Sequence, residues 1–145
     1  MSRFFKLATA LLAMLAVVGC SSPPSNLDLS LSRSTLEHQL KVTLSPPEAP
    51  LVINQLHAWR IQLASAQGLP IRHARIRVDG GMPQHGHGLP TRPLVTEESQ
   101  PGVYLLDGMK FSMTGWWEIK LVIDSPAGVD HVTFNAVLTD SGLTR

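Results

Sequence analysis

The segment GGMPQHGHGLP (80–90) contains three side chains that bind soft or borderline metal ions. His85 and His87 lie two positions apart, and residues at this spacing in an extended chain point to the same side. Gly86 lets the backbone bend between them, and Met82 adds a thioether three residues before His85. Thioethers favour Cu(I), and imidazole binds Cu(I), Cu(II) or zinc, so the combination favours copper.

Two further methionines could supply sulfur ligands. Met109 and Met113 lie four positions apart in a predicted strand, and this spacing places them on one face of it. If the end of that strand approaches the loop, the sulfurs and the two imidazoles converge. The sequence therefore predicts a copper site with ligands drawn from Met82, His85, His87, Met109 and Met113.

A metal-free interpretation of the same residues stays open. The glycines and prolines of the loop also suit a sharp corner at the end of a strand, and histidine pairs in loops are commonly solvated. Methionines at strand spacing often fill hydrophobic cores. In this alternative the loop is a fixed corner, or an edge that binds another protein.

Other chemistries lack the residues they need. The sequence has no Gly-x-Ser-x-Gly nucleophile motif, and the neighbouring Glu97 and Glu98 point apart in an extended chain, which predicts a solvated loop. The 12 Lys and Arg nearly balance the 11 Asp and Glu, which argues against a nucleic-acid-binding surface. We therefore expect neither an enzyme nor a nucleic-acid partner.

The first 20 residues have the pattern of an export signal. Two basic residues precede a short, mostly apolar run (7–18), which is shorter than the about 20 residues of a membrane span. The run ends in Val-Val-Gly-Cys (17–20), which resembles a bacterial lipoprotein signal in which Cys20, the chain's only cysteine, is acylated. The resemblance implies anchoring to the periplasmic face of a bacterial membrane through acyl chains on Cys20. By the same resemblance to bacterial lipoproteins, Ser21 after the cysteine favours the outer membrane.

Composition divides the chain into three parts. Residues 1–19 are predicted to be the signal peptide, residues 20–36 a Ser- and Pro-rich tether, and residues 37–145 one folded domain. In the domain, turn residues separate segments that alternate at period two, namely 38–45, 54–65, 71–80, 102–113, 115–124 and 128–138.

These alternating segments predict an all-β fold. We expect an immunoglobulin-like antiparallel β-sandwich of six to seven strands, without the paired cysteines of true immunoglobulin domains. Trp59 or Trp117 is the expected large core residue, and Asp107–Gly108 marks a tight turn or a bulge.

The segment from Gly68 to Leu138 resembles the YtkA-like and FixH-like domains of bacterial extracytoplasmic proteins. The shared pattern is a Met-Pro…His loop, a Gly-x-Tyr strand and a Met-x-Gly-x-Trp strand. It is carried here by ARIRV (74–78), GMPQHGHG (81–88), GVY (102–104) and MKFSMTGWW (109–117). Such domains are small β-sandwiches, and some occur in proteins linked to copper handling or respiratory oxidase assembly. FixH-type proteins have a membrane-spanning N-terminus, where this chain has a lipoprotein-type signal.

The resemblance implies a copper-associated module and no particular reaction. It places Met82, His85 and His87 at the loop positions of the pattern, and Met113 at the methionine before Gly115. The expected protein is a lipid-anchored periplasmic copper carrier or chaperone, with a copper-handling or other envelope protein as partner. The alternative is a metal-free structural or protein-interaction module of the cell envelope.

Overall fold

The computed structural model of the protein describes residues 22–37 and 39–144. These residues form two antiparallel sheets of five strands and contain no helix. The strands are β1 (Ser32–Ser34), β2 (Leu40–Ser45), β3 (Leu56–Ser65), β4 (Arg75–Met82), β5 (His87–Gly88), β6 (Leu94–Gln100), β7 (Val103–Lys110), β8 (Gly115–Ser125), β9 (Gly128–Thr139) and β10 (Gly142–Thr144).

The core lies between the two sheets. Sheet 1 has the strand order β1-β2-β3-β7-β6, and sheet 2 has the order β10-β9-β8-β4-β5. Alternate residues of each long strand face inward, so Trp59 from sheet 1 and Trp117 from sheet 2 are both buried. The ring of Phe111 lies 6.2 Å from that of Trp59 and 5.3 Å from that of Trp117, measured between centroids. The predicted all-β sandwich with tryptophans at its centre is confirmed.

The described residues form ten strands, where the sequence predicted six or seven. β1, β5 and β10 contain only two or three residues, which is too short for period-two alternation to be visible. β6 lies in a segment predicted to be a polar loop, and most of its residues are exposed. As an edge strand of sheet 1, β6 needs backbone pairing with β7 but no apolar face.

The Asp107–Gly108 pair forms a bulge in β7. From His57 to Trp59 the β3 strand advances two residues, while its partner advances three, from Met109 to Leu106. Gly108 has a φ of +81°, which glycine adopts without strain. Strand β7 therefore continues through the Asp107–Gly108 bulge and ends at Lys110.

The folded domain begins before its predicted boundary. β1 lies within residues 20–36, which were predicted to be a tether, and it pairs with β2. A short Ser-rich edge strand contributes hydrogen bonds and little apolar burial, so composition gave no sign of it. The predicted signal peptide, Cys20 and His38 lie outside the described residues.

The loops of the sandwich collect at two ends. We call one the hairpin end, which contains the β4–β5 hairpin, the β7–β8 turn and the β9–β10 turn. The opposite end contains the connections β1–β2, β3–β4, β6–β7 and β8–β9. Strands β8 and β9 run between the two ends, from the Gly115–Leu138 pair at the hairpin end to the Ser125–Gly128 pair.

Candidate metal-binding site

The β4–β5 hairpin is held against β8 by close backbone contacts. A Cβ atom on Gly80 would collide with the carbonyl oxygen of Glu118 in β8, and one on Gly81 would collide with that of His87 in β5. Because glycine has no Cβ, these three strands approach more closely than other residues allow. The base of the loop is therefore fixed by backbone packing.

The turn of the hairpin presents both imidazoles to solvent. The His85 amide donates to the Met82 carbonyl at 3.1 Å, and Gly86 has a φ of +62°. His85 and His87 are exposed, with ring centroids 6.0 Å apart and ring planes inclined by 29°. A metal ion with bonds of about 2 Å to both rings needs their nitrogens about 3–4 Å apart. The observed ring separation permits that arrangement.

Met82 lies below the loop, in the core. Its side chain is 1% exposed, and a Cβ atom on Gly115 would lie 2.9 Å from the Met82 Cε. The thioether therefore packs over the start of β8 instead of facing solvent beside the histidines. To bind an ion at the surface, this side chain would have to leave its present position.

Met113 lies at the surface in the β7–β8 turn. Its carbonyl accepts a hydrogen bond from Trp117 Nε1 at 3.1 Å, which fixes the backbone of the turn to the buried indole. Its side chain is 39% exposed and lines a surface pocket of about 450 Å³ together with His85 and Gly115. The structure thus brings two predicted ligands, His85 and Met113, to one pocket.

Met109 does not reach this pocket. Its side chain is fully buried in the core between the sheets, as is that of Phe111. Because β7 ends at Lys110, Met113 lies three residues beyond the strand. The prediction that Met109 and Met113 share a strand face is wrong, because the chain turns towards β8 after Phe111 while the alternation in the sequence continues.

The match to a known protein family includes the β4–β5 hairpin and the β7–β8 turn, which carry the candidate ligands. The model of the YtkA-like family matches residues 36–122, which is more than half of the 145-residue chain. The chain belongs to the YtkA-like family. No curated protein and no solved structure matches it. Membership of this family supports an extracytoplasmic module, and the FixH-like resemblance stays a prediction.

The Gly-x-Tyr part of the YtkA-like pattern has a structural role at the opposite end. The Tyr104 hydroxyl donates to the Ile71 carbonyl at 2.8 Å and accepts from the Ala74 amide at 3.0 Å. Gly102 has a φ of +72°, and a Cβ atom on it would lie 2.7 Å from the Leu63 carbonyl oxygen. Burial raises the pKa of the Tyr104 phenol, so its hydroxyl stays protonated at neutral pH.

Glu98 is not the solvated loop residue that the sequence predicted. Its half-buried carboxylate in β6 accepts from the amides of His73 and Gly102, each at 3.0 Å. These two hydrogen bonds, that from His73 first, lower the pKa of the Glu98 carboxyl, and the Arg72 guanidinium at 3.5 Å adds to the effect. The carboxylate therefore fastens β6 to the β3–β4 connection.

Asp130 is a second structural carboxylate that the sequence analysis did not identify. It is 1% exposed, and its Oδ1 accepts from the amides of Glu37 at 3.1 Å and His131 at 2.7 Å. Burial alone would raise its pKa. The nearby Thr35 hydroxyl and the amides of Glu37, His131 and Gln39 favour the charged form, outweigh burial and hold the pKa of Asp130 below its usual value.

The hairpin histidines differ from His57 and His73, because within the described residues their rings have no polar contact. The His57 ring contacts the Val52 carbonyl at 3.0 Å, and the His73 ring lies 3.8 Å from Glu98. No three His, Cys, Asp or Glu side chains among the described residues are grouped to hold a metal ion. Met113 is the predicted sulfur donor that lines the same pocket as His85, and imidazole together with thioether is a donor set that suits copper.

The described residues give no membrane span. Within residues 22–37 and 39–144, no helix combines the length and apolar character needed to cross a bilayer. The predicted lipidation site, Cys20, lies outside these residues.

Proposed function

We propose that this YtkA-like protein is a lipid-anchored periplasmic copper-binding module that carries the ion without catalysing a reaction. The supporting observation is the pocket at the hairpin end that His85 and Met113 both line. The His87 ring lies 6.0 Å from that of His85 and lines a neighbouring pocket with Met82. Acyl chains on Cys20 attach the protein to the membrane, and a copper-handling or other envelope protein is its partner.

The proposed ligand set consists of His85, His87 and Met113. Met82 lies within the same part of the fold, and its flexible thioether could join the set if its side chain moves. Met109 is left out because it is fully buried in the core. A set of two imidazoles and one thioether, without a thiolate, binds Cu(I) reversibly, as a carrier that hands the ion on requires.

Competition titration tests the histidines. The purified protein is titrated with Cu(I) and with Cu(II) against a competing chelator, beside the double variant His85→Ala/His87→Ala. We expect the double variant to lose competable binding, because both imidazoles are removed. Unchanged binding in the double variant would place copper elsewhere. Absence of binding in the unaltered protein would favour the metal-free interaction module.

Two methionine variants test the sulfur ligand with a matched control. Met113→Leu should weaken Cu(I) binding at least about tenfold, which corresponds to about 1.4 kcal/mol. Met109→Leu makes the same chemical change in the buried core, and should leave Cu(I) affinity unchanged while costing under about 1.5 kcal/mol of stability. Equal losses of Cu(I) affinity in both variants would exclude Met113 as a specific ligand.

The anchor has its own test. Cys20→Ser removes the thiol that would carry the lipid, so the variant should leave the membrane fraction of cells and lack acyl chains by mass spectrometry. A variant that stays in the membrane fraction would show that another feature attaches the protein.

A further inference from the structure

The residues before β2 follow the exposed edge of β9. We call residues 22–37 the N-terminal strap. The Leu36 amide donates to the His131 carbonyl at 2.8 Å, and Arg33 Nη1 donates to the Thr133 carbonyl at 2.7 Å. Asn135 Nδ2 donates to the Asp28 carbonyl at 3.0 Å. These partners are two residues apart along β9, so the strap runs antiparallel to that strand.

The strap begins at the hairpin end. Gln84 Nε2, in the hairpin loop, donates to the Ser22 carbonyl at 3.0 Å. Ser22 and Pro23 also line the pocket that contains His85 and Met113. The first described residues of the chain are therefore part of the wall of the candidate metal site.

This placement changes what the N-terminal segment does. A flexible tether of the predicted length, residues 20–36, would have an end-to-end distance of about 23 Å and would let the domain rotate. The strap is instead held by hydrogen bonds from Ser22 to Glu37. Only Ser21 separates Cys20 from Ser22, and two residues of chain span at most about 7 Å, so the proposed lipid attachment is within that reach of the pocket wall.

We propose that the strap holds the hairpin end against the bilayer, so that the copper pocket opens at the lipid headgroup layer. This inference rests on the acylation of Cys20 in the proposed function. It restricts the exchange partner to a protein that is itself held at the membrane, because the bilayer shields the pocket from the bulk periplasm.

The dimensions of the sandwich make the orientation measurable. Ten residue steps of β8 separate its pair at the hairpin end, Gly115–Leu138, from its pair at the opposite end, Ser125–Gly128. At about 3.3 Å per residue the two ends are about 33 Å apart. The opposite end carries Leu36 and Val129, which are 71% and 56% exposed, so the reverse orientation is the competing arrangement.

Two single-cysteine variants place a fluorescent probe at either end of β9. Asp140→Cys lies in the pocket wall in the β9–β10 turn, and Ala127→Cys lies in the exposed β8–β9 turn. The acylated full chain is incorporated into phosphatidylethanolamine–phosphatidylglycerol vesicles that contain a lipid with a quencher on its headgroup. We expect quenching several-fold stronger at position 140 than at position 127. Equal quenching, or stronger quenching at 127, would overturn the orientation.

A third variant tests the role of the strap. Arg33→Ala/Asn135→Ala removes two of its contacts with β9, and should bring the quenching ratio close to one. An unchanged ratio would show that the strap does not set the orientation. Flotation of the vesicles is recorded in parallel. If the protein does not float with the vesicles, it lacks the anchor, and both the proposed anchoring and the orientation are overturned. If it floats but both positions are quenched equally, only the orientation is overturned.

Discussion

The two ends of the sandwich use polar side chains in different ways. At the opposite end, Asp130, Glu98 and Tyr104 each bond to two or more backbone groups of neighbouring connections. At the hairpin end, His85 and His87 are exposed, and their rings have no polar contact within the described chain. Polar groups that stabilise a fold are satisfied inside it. Polar side chains that remain exposed in a fixed loop, as His85 and His87 do, are available to bind a ligand.

The hairpin end obtains its rigidity from the backbone instead. Gly80 and Gly81 bring three strands into close contact, and the Trp117 indole fixes the Met113 carbonyl. None of these contacts uses an imidazole or a thioether. Changes at the opposite end should therefore alter stability alone, whereas changes to the backbone of the hairpin should alter stability and copper binding together.

The largest expected effect is the loss of the Asp130 carboxylate. Asp130→Ala leaves buried backbone donors without an acceptor and should lower the free energy of unfolding by about 3 kcal/mol. Urea unfolding measures this loss, and copper titration of the folded variant should match that of the unaltered protein. A parallel loss of copper affinity would show that the two ends are coupled.

The same carboxylate predicts acid sensitivity. Its pKa is lower in the folded state than the about 3.9 of an unfolded chain. The stabilisation is therefore fully present above that unfolded-state pKa and is lost as the pH falls through the folded-state pKa. Urea midpoints measured from pH 6 downwards should fall more steeply for the unaltered protein than for Asp130→Asn.

The next largest effect is expected for a backbone change in the hairpin, compared with a similar change at the opposite end. Gly81→Ala introduces a Cβ that collides with the His87 carbonyl oxygen, so β5 must move. We expect a stability loss of about 2 kcal/mol and a clear loss of Cu(I) affinity. The control is Gly128→Ala at the opposite end, where φ is +113° and nothing lies within 4 Å of the new Cβ. If both variants bind copper equally, the position of the hairpin does not determine the site.

A smaller effect is expected at Tyr104. Tyr104→Phe removes the hydroxyl that joins the Ile71 carbonyl to the Ala74 amide, which should cost about 1.5 kcal/mol. Thermal and urea unfolding would register the change. Because these contacts lie at the opposite end, a weaker copper complex in this variant would contradict the separation of the two ends.

The smallest effect is expected at Gly86. Nothing lies within 4 Å of a Cβ at this position, so Gly86→Ala adds only the strain of a φ of +62°, about 1 kcal/mol. Both imidazoles should keep their places, and Cu(I) affinity should stay near that of the unaltered protein. A loss as large as that of Gly81→Ala would mean that the loop must bend at Gly86 when the ion binds.

The sequence predicted the parts of the fold that alternate between buried and exposed positions. Trp117, Ile119 and Leu121 show this pattern in β8, because one face of the strand lies in the core. The edge strands β1 and β6 were missed, since they are stabilised by backbone pairing and show no apolar face.

The sequence predicted only the part of the candidate site that depends on local spacing. His85 and His87 lie in one short loop, so sequence spacing determines how they are arranged. Met109 and Met113 could not be distinguished, because the end of β7 depends on a bend that the alternation does not show. Asp130 and Glu98 were missed because they bind amides 93 and 25 residues away, at Glu37 and His73, and no local pattern records such contacts.

The N-terminal strap also has a consequence for self-association. Open strand edges can pair with the same edge of another molecule and begin a fibre. β10 covers only residues 137–139 of β9, and the strap lies along the part that β10 leaves open, with the Leu36 amide occupying the His131 carbonyl. The strap therefore hinders pairing of this edge of β9 with the same edge of another copy.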